Sequence, residues 1–272
     1  MVRIASVLEY MESRYPKGSV EDWDRVGFIV GDRTHEVRKI LLAVDPVPEV
    51  VAEAIDTGCQ LLITHHPLYL RGTSYVSSDD AKGRMVRDLI RADCALFCAH
   101  TNADVAVGGV ADALGLLVGL EEMVPLVGRG EGNLGIGRVG KVKRQTLREF
   151  STKVASVLPK GPTGLYVGGN LDSEVETVAV SGGAGDSLLG AARQAGADVF
   201  LTADLRHHPA SEHLMEGPPA LLCGSHWATE WPWLPHLATE LTQHCGDGTL
   251  EVSISTVCTE PWVEHLPTRG RL

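Results

Sequence analysis

The sequence feature with the clearest chemical potential is a short apolar run that ends in two adjacent histidines. Residues 61–64 (Leu-Leu-Ile-Thr) have the length and composition of a buried strand, and His65, His66 and Pro67 follow. Pro67 interrupts any continuing ladder of hydrogen bonds, so the strand is predicted to end here. Because adjacent side chains of a strand point to opposite faces, the two imidazoles can reach two different points, such as two metal ions. A metal site needs more ligands than this pair.

Further candidate ligands follow other predicted strands. They are His100 and Asp104 after residues 94–99, His207 and His208 in the second half, and His226 and Glu230 after residues 220–223. His226 and Glu230 are four residues apart, so they share one face if the chain from Trp227 onward is helical. Asp104 is expected to present its carboxylate from a loop.

Five of these residues form a mixed set of nitrogen and oxygen ligands, namely His65, His66, Asp104, His226 and Glu230. Such a set suits Zn²⁺, Fe²⁺, Mn²⁺ or Co²⁺ better than Ca²⁺ or a thiolate-bound structural zinc. Five ligands exceed the need of one tetrahedral ion but suffice for two ions that share a bridging carboxylate. The competing interpretation is that all these residues are ordinary polar strand exits. For His100, His207 and His208, an ordinary polar strand exit is the preferred interpretation. The next is that these residues orient a metal ligand or contact the substrate.

The spacing of apolar residues predicts short strands that alternate with helices. In the first half, helices are predicted over 4–15, 48–58, 80–92 and 108–114, the last closed by Gly115, and strands over 39–44, 61–64 and 94–99. In the second half, helices are predicted over 146–158, 186–195 and from Ala228 to about Cys245, and strands over 178–180, 198–202, 220–223 and 250–257.

An internal repeat indicates two related α/β domains with mostly parallel or mixed sheets. Residues 41–104 and 178–230 both give strand, turn, helix, strand and then a polar exit. Short apolar strands alternating with helices favour parallel pairing, and open α/β sheets bind ligands at the carboxyl ends of their strands. The metal site is therefore predicted at those ends. A glycine-rich change of composition places the first domain at 1–128 and the second at 129–225.

A glycine-rich stretch, Ser181–Gly185, is predicted to form a tight turn before a helix. Such a turn can cradle a phosphate. It lacks the lysine of a P-loop, and the pattern G-x-G-x-x-G is absent from the sequence. A tight turn that binds no phosphate is therefore the preferred interpretation.

The composition of the chain argues against several classes of protein. The 272 residues include 24 Lys and Arg against 35 Asp and Glu, a formal charge of −11 that opposes duplex nucleic acid and anionic membranes. The six cysteines form no C-x-x-C, and most lie in apolar runs, which indicates structural roles and a reducing, cytoplasmic location. No signal sequence and no run of about 18 apolar residues is evident, so a soluble protein is predicted.

Five motifs spread over nearly the whole chain point to a known family. They are Trp23-Asp24-Arg25-Val26-Gly27, Thr64-His65-His66-Pro67, His100-Thr101-Asn102-Ala103-Asp104, Thr202-Ala203-Asp204 with His208, and His226-Trp227-Ala228-Thr229-Glu230. Together they resemble the Nif-three-like dinuclear metal-centre family, which includes GTP cyclohydrolase 1 type 2 homologs. The resemblance implies that the five ligands bind two metal ions, with Glu230 bridging them. It also implies a short form without a central inserted domain, a first domain completed by 226–272, and a ring-shaped homo-hexamer with metal sites facing an internal cavity.

The resemblance further implies a hydrolase. A metal-bound hydroxide would attack C8 of the guanine ring of GTP, followed by ring opening and loss of formate. Glu230 would act at the metals, and His100 or His208 would transfer protons. Two alternatives stay open: a phosphoesterase that uses the same site, and a metal-binding interaction, regulatory or metal-handling hexamer without turnover. No residues for an organic cofactor are predicted.

Overall fold

A computed structural model describes residues 2–130, 132–246 and 248–268. Its strands are β1 (Val2–Arg3), β2 (Gly27–Val30), β3 (Glu36–Val37), β4 (Lys39–Ala43), β5 (Leu61–Thr64), β6 (Ala95–Cys98), β7 (Glu121–Gly128), β8 (Gly135–Thr146), β9 (Tyr166–Gly168), β10 (Glu174–Ala184), β11 (Val199–Ala203), β12 (Ala220–Gly224) and β13 (Glu251–Ile254). Its helices are α1 (Ile4–Arg14), α2 (Pro48–Asp56), α3 (Ala81–Arg91), α4 (Thr101–Val105), α5 (Val110–Val118), α6 (Leu147–Val157), α7 (Leu189–Gln194), α8 (His207–Met215), α9 (His226–Glu230) and α10 (Trp233–His244). Lys17–Ser19 and Asp186–Leu188 form 3₁₀ turns.

The chain forms two compact units, each built from two stretches of sequence. The first contains Met1–Gly109 and Trp233–Thr259, and the second contains Val110–Pro232 and Glu260–Leu272. These boundaries lie at other residues than the predicted 128 and 226. The first boundary differs because β7, inside the predicted first domain, pairs with β8 of the second unit. The second differs because α9 packs against β10 of the second unit, whereas β13 pairs with β4 as the predicted C-terminal completion of the first domain requires.

The first unit has a five-stranded sheet in the order β13-β4-β5-β6-β2. Its first four strands are parallel, and β2 runs antiparallel to β6. Ala43, Thr64 and Cys98 are in register at the ends of β4, β5 and β6. The residues that follow these three strands therefore leave the sheet along one edge, as expected for parallel strands.

The second unit has a six-stranded sheet in the order β7-β8-β10-β11-β12-β9. The strands β10, β11 and β12 are parallel, and β7, β8 and β9 pair antiparallel to their neighbours. In each unit, a run of parallel strands, four in the first and three in the second, thus ends at an antiparallel edge strand. This arrangement confirms the predicted α/β class with mixed sheets.

Strand side chains pack against helices to form the core of each unit. In the first unit, Leu41, Leu62 and Leu96 pack on the same face with apolar residues of α2 and α3. In the second, Val180, Leu201 and Leu222 face a cluster with α6, while Phe200 and its neighbours face a second cluster with α7. The second sheet is therefore buried on both faces, which explains why its central strands are continuous apolar runs.

The glycine predicted to close α5 occupies a different place. Gly115 lies inside α5, where an added Cβ would come within 2.4 Å of Sδ of Met123, so this glycine permits close packing. Gly119, with φ +84°, follows the end of the helix, as a left-handed C-terminal residue does.

The predicted turn at 181–185 is also wrong, because β10 continues to Ala184. An irregularity in its pairing with β11 lies between Val180 and Ala184, and Gly183 has φ +64°.

Helices differ from prediction at three further points. The stretch predicted as one helix from Ala228 is two, α9 and α10, with Pro232 between them. Because proline lacks an N–H, Pro232 cannot continue the hydrogen-bond ladder of α9. The short helices α4 and α8 were not predicted, since their few residues show no apolar period. No helix in the described ranges has the length and apolar character needed to cross a membrane.

Candidate metal centre

Three histidines of the first unit bring ring nitrogens together where β5 and β6 end. His65 and His66 follow β5, and His100 follows β6. One ligand nitrogen from each ring lies within 4.8 Å of those of the other two. The ring centroids of His65 and His66 are 4.9 Å apart, so the expected alternation of these side chains is wrong. The strand ends at Thr64 and both histidines lie in a bend, where strand alternation no longer applies.

The tautomer of His65 is fixed by the backbone. This residue is fully buried, and its Nδ1 lies 3.0 Å from the carbonyl oxygen of Ala99. Because a carbonyl oxygen can only accept, Nδ1 carries the hydrogen, and the lone pair of the neutral ring is on Nε2. That nitrogen lies 3.7 Å from Oδ1 of Asp104. The ring and the carboxylate therefore offer a cation one nitrogen and one oxygen ligand.

Carboxylates orient the other two histidines in the same way. Nδ1 of His66 lies 2.7 Å from Oδ1 of Asp45, and Nδ1 of His100 lies 2.8 Å from Oδ1 of Asp24. A carboxylate that accepts from Nδ1–H places the lone pair of the neutral ring on Nε2. Histidines that bind metals commonly donate their other ring N–H to a carboxylate or a carbonyl in this manner.

The carboxylate of Asp24 is buried and accepts several hydrogen bonds. Its Oδ2 accepts from the amide and the hydroxyl of Thr101 at 3.1 and 2.6 Å, and its Oδ1 accepts from the amide of Arg25 at 2.7 Å. Burial alone would raise the pKa of Asp24, but the hydrogen bonds from His100 and Thr101 outweigh it and lower the pKa well below its usual range. Asp24 therefore stays ionised and holds His100 in one orientation.

The second unit presents an imidazole and a carboxylate on α9. Nε2 of His226 and Oε1 of Glu230 are 3.0 Å apart, which confirms the predicted shared helix face. Ser225 caps this helix by accepting from the amide of Ala228 at 3.1 Å. Nδ1 of His226 lies 2.6 Å from Oδ2 of Asp204, so this ring repeats the pattern of the other three.

The glycine segment of β10 closely approaches this pair. A Cβ on Gly183 would lie 2.4 Å from Oε1 of Glu230 and 3.0 Å from Nε2 of His226. The amide of Gly183 donates to Oγ1 of Thr229 at 3.0 Å, and its carbonyl accepts from Oγ1 of Thr202 at 2.9 Å. The backbone is thus held from both sides, and only a residue without a side chain fits between it and the two ligands.

The ligand atoms present fit a divalent metal ion. Two ligands about 2.1 Å from one ion lie about 3.0–3.4 Å apart at angles near 90–110°. The 3.0 Å between Nε2 of His226 and Oε1 of Glu230 falls in this range. Neutral imidazoles with carboxylates form a donor set that suits zinc, iron, manganese or cobalt.

Three predicted site residues lie in helices that were not predicted. Asp104 lies in the helix α4 rather than in a loop. His207 and His208 are exposed in the first turn of α8, where their ring centroids are 5.1 Å apart. The catalytic role of His208 stays a prediction.

Sequence reasoning missed the carboxylates that orient the rings. Asp24 lies in one of the five motifs, Asp45 comes two residues after β4, and Asp204 directly follows β11 with φ +53°. The position of an acid just beyond a strand was the available signal for the last two.

Comparison with known proteins gives consistent matches along the chain. The model of the family described as Duf34/NIF3 (NGG1p interacting factor 3) matches residues 2–261. A Streptomyces coelicolor protein named GTP cyclohydrolase 1 type 2 homolog is 47% identical over 274 residues, which cover 98% of this chain and 95% of that protein. A Mycobacterium bovis protein of the same name is 32% identical over 369 aligned positions, covering 96% and 97%. That alignment exceeds the length of this chain, so this relative has residues that the short form lacks.

Solved structures show the same fold. A Bacillus cereus protein related to NIF3 superposes with a TM-score of 0.87 at 24% identity, over 96% of this chain and 98% of that one. Reduced HcgD from Methanocaldococcus jannaschii superposes with a TM-score of 0.78 at 28% identity, over 94% and 98%. With a family match that spans nearly its whole length, the chain belongs to the Duf34/NIF3 family.

Proposed function

We propose that this protein is a metal-dependent hydrolase that binds two divalent ions. The ligands would be His65, His66, Asp104, His226 and Glu230, with Glu230 as the bridge. One observation carries the proposal: the three imidazoles of this set each have Nδ1 held by a carbonyl or a carboxylate, which places the lone pair of the neutral ring on Nε2, where a metal would bind. Ordinary polar strand exits have no reason to share one ring orientation.

The chemistry would be divided between the ions and the chain. Divalent ions held here would supply a nucleophile by lowering the pKa of water and would stabilise negative charge that develops on the substrate. His100, held by ionised Asp24, would transfer protons. The indole of Trp23, 54% exposed with its ring centroid 5.8 Å from that of His100, is suited to stack on a planar ring of the substrate.

The name of the curated relatives makes GTP the first substrate to test. Protein purified without added metal is expected to contain about two ions per chain by elemental analysis and to release formate from GTP. Removal of the ions with a chelator should abolish release, and Zn²⁺, Fe²⁺, Mn²⁺ or Co²⁺ should restore it. Hydrolysis of p-nitrophenyl phosphate without formate release would instead identify a phosphoesterase. Less than one ion per chain would contradict the proposal itself.

A second candidate function is a metal-binding interaction protein without turnover. The family description, which names an interacting factor, favours it. This candidate predicts a full complement of metal, no release of formate, and partner binding that survives removal of the ions.

We predict that Asp45→Asn weakens metal binding about 10–100-fold, because the amide cannot hold the Nδ1–H of His66 as a carboxylate does. Competition with a metal indicator measures the affinity. Asp56→Asn removes the same charge from an exposed position at the end of α2 and should leave the affinity unchanged. Equal losses in both variants would show that overall charge, rather than ring orientation, is responsible.

The homo-hexamer implied by the family resemblance remains a proposal, as does the cytoplasmic location. Light scattering coupled to size-exclusion chromatography is expected to give about six times the mass of one chain. A mass of one or two chains at micromolar concentration would contradict the hexamer.

A further inference from the structure

A cavity of about 270 Å³ lies in the second unit against α9. Its walls are mixed, with polar side chains from Ser156, Lys160 and Ser225 and apolar ones from Ala155, Leu158, Pro159, Leu165 and Ala228. None of its ten lining residues is acidic, although the chain carries a formal charge of −11. The one charged residue in its lining is Lys160. The cavity therefore combines apolar and polar walls with a single cation in an acidic protein.

Two hydrogen-bond donors line this cavity and have no acceptor within the described part of the chain. Lys160 is exposed and forms no ion pair there. Ser225, which is 6% exposed, accepts from the amide of Ala228, but its own hydroxyl hydrogen has no acceptor among those residues. Both groups can therefore donate to a ligand in the cavity.

We propose that this cavity binds a small organic anion with a carboxylate or phosphate head and a short apolar body. The ammonium of Lys160 and the hydroxyl of Ser225 provide donors for the head, and the alanine, leucine and proline side chains contact the body. The volume is near the lower end of small-molecule sites, so the body is limited to a few carbon atoms.

The pocket and the proposed metal ligands use different faces of α9. Ser225 and Ala228 are three residues apart, as neighbours on one face are, whereas His226 and Glu230 share another. A bound anion would thus support the helix from behind its ligand pair. This coupling rests on the proposed function, but anion binding itself does not.

Titration calorimetry of the full-length protein with sodium propionate, at constant ionic strength in chloride, tests the site. We expect saturable binding that weakens at least about tenfold in Lys160→Gln, which removes a charge-assisted hydrogen bond. Lys143→Gln removes the same charge from an exposed position on β8 and should bind like wild type. His66→Ala, which disrupts the proposed metal centre, should also retain propionate binding.

Three outcomes would overturn the proposal: no saturable binding of either propionate or inorganic phosphate, equal binding by Lys160→Gln, or loss of binding in His66→Ala, which would place the anion at the metals. Inorganic phosphate in a parallel titration identifies the head group. A Lys160-dependent signal with phosphate alone supports a phosphate ligand, and one with propionate alone supports a carboxylate. Failure of metal loading together with Lys160-dependent binding would reject the proposed function and keep this site.

Discussion

Glu230→Ala is expected to yield a folded protein that has lost most of its metal. The carboxylate is 3% exposed and lies 3.0 Å from the ring of His226, and we propose that it bridges both ions. Loss of a residue that merely orients a ligand costs 10–100-fold in metal affinity, so loss of a bridging ligand should cost at least about 100-fold. Elemental analysis should find one ion or fewer per chain, and formate release from GTP should fall below detection.

Two further variants test whether the loss of metal is specific to the carboxylate of Glu230. Glu212→Ala removes an exposed carboxylate on α8 and should retain both ions. Glu230→Gln keeps the size of the side chain and one oxygen ligand but loses the charge, so an intermediate metal content is expected. Circular dichroism should show unchanged secondary structure in all three. Two tightly held ions in Glu230→Ala would mean that this carboxylate is no ligand.

The strands that carry the site could be predicted because each is a short apolar run with a sharp polar end. The predicted strands at 61–64 and 220–223 match β5 and β12 to within one residue. Such runs are buried on both faces, so their apolar character is continuous and visible in sequence. The pairing of His226 with Glu230 was also predictable, since a spacing of four residues fixes a shared helix face.

Features that depend on contacts distant in sequence could not be predicted. Asp24 meets His100 across 76 residues, and Asp204 meets His226 across 22. Asp204 is marked only by its position directly after a strand, and nothing in the sequence shows which histidine either acid contacts. The break between α9 and α10 at Pro232 was accessible from sequence, but the apolar period continues through it and masked the proline.

The role of the glycines of β10 also depends on contacts that are distant in sequence, so it could not be predicted. The variant Gly183→Ala tests the role of one of them. Alanine at φ +64° is strained, at a cost of about 1–2 kcal/mol, and its Cβ would lie 2.4 Å from Oε1 of Glu230. Since the backbone is held on both sides, the ligand pair must move, and we expect a loss of metal as large as in Glu230→Ala.

Gly196→Ala is the matched control for this prediction. Gly196 has a similar φ of +69°, but nothing lies within 4 Å of an added Cβ. This variant should therefore lose about 1–2 kcal/mol of unfolding free energy in urea and keep its metal. If both variants lose stability equally and both retain two ions, the glycine serves only the backbone irregularity of β10. If Gly183→Ala alone loses its ions, glycine is required here because the backbone passes directly beside a metal ligand. That requirement, rather than phosphate binding, then explains why the stretch Ser181–Gly185 resembles a phosphate-binding turn.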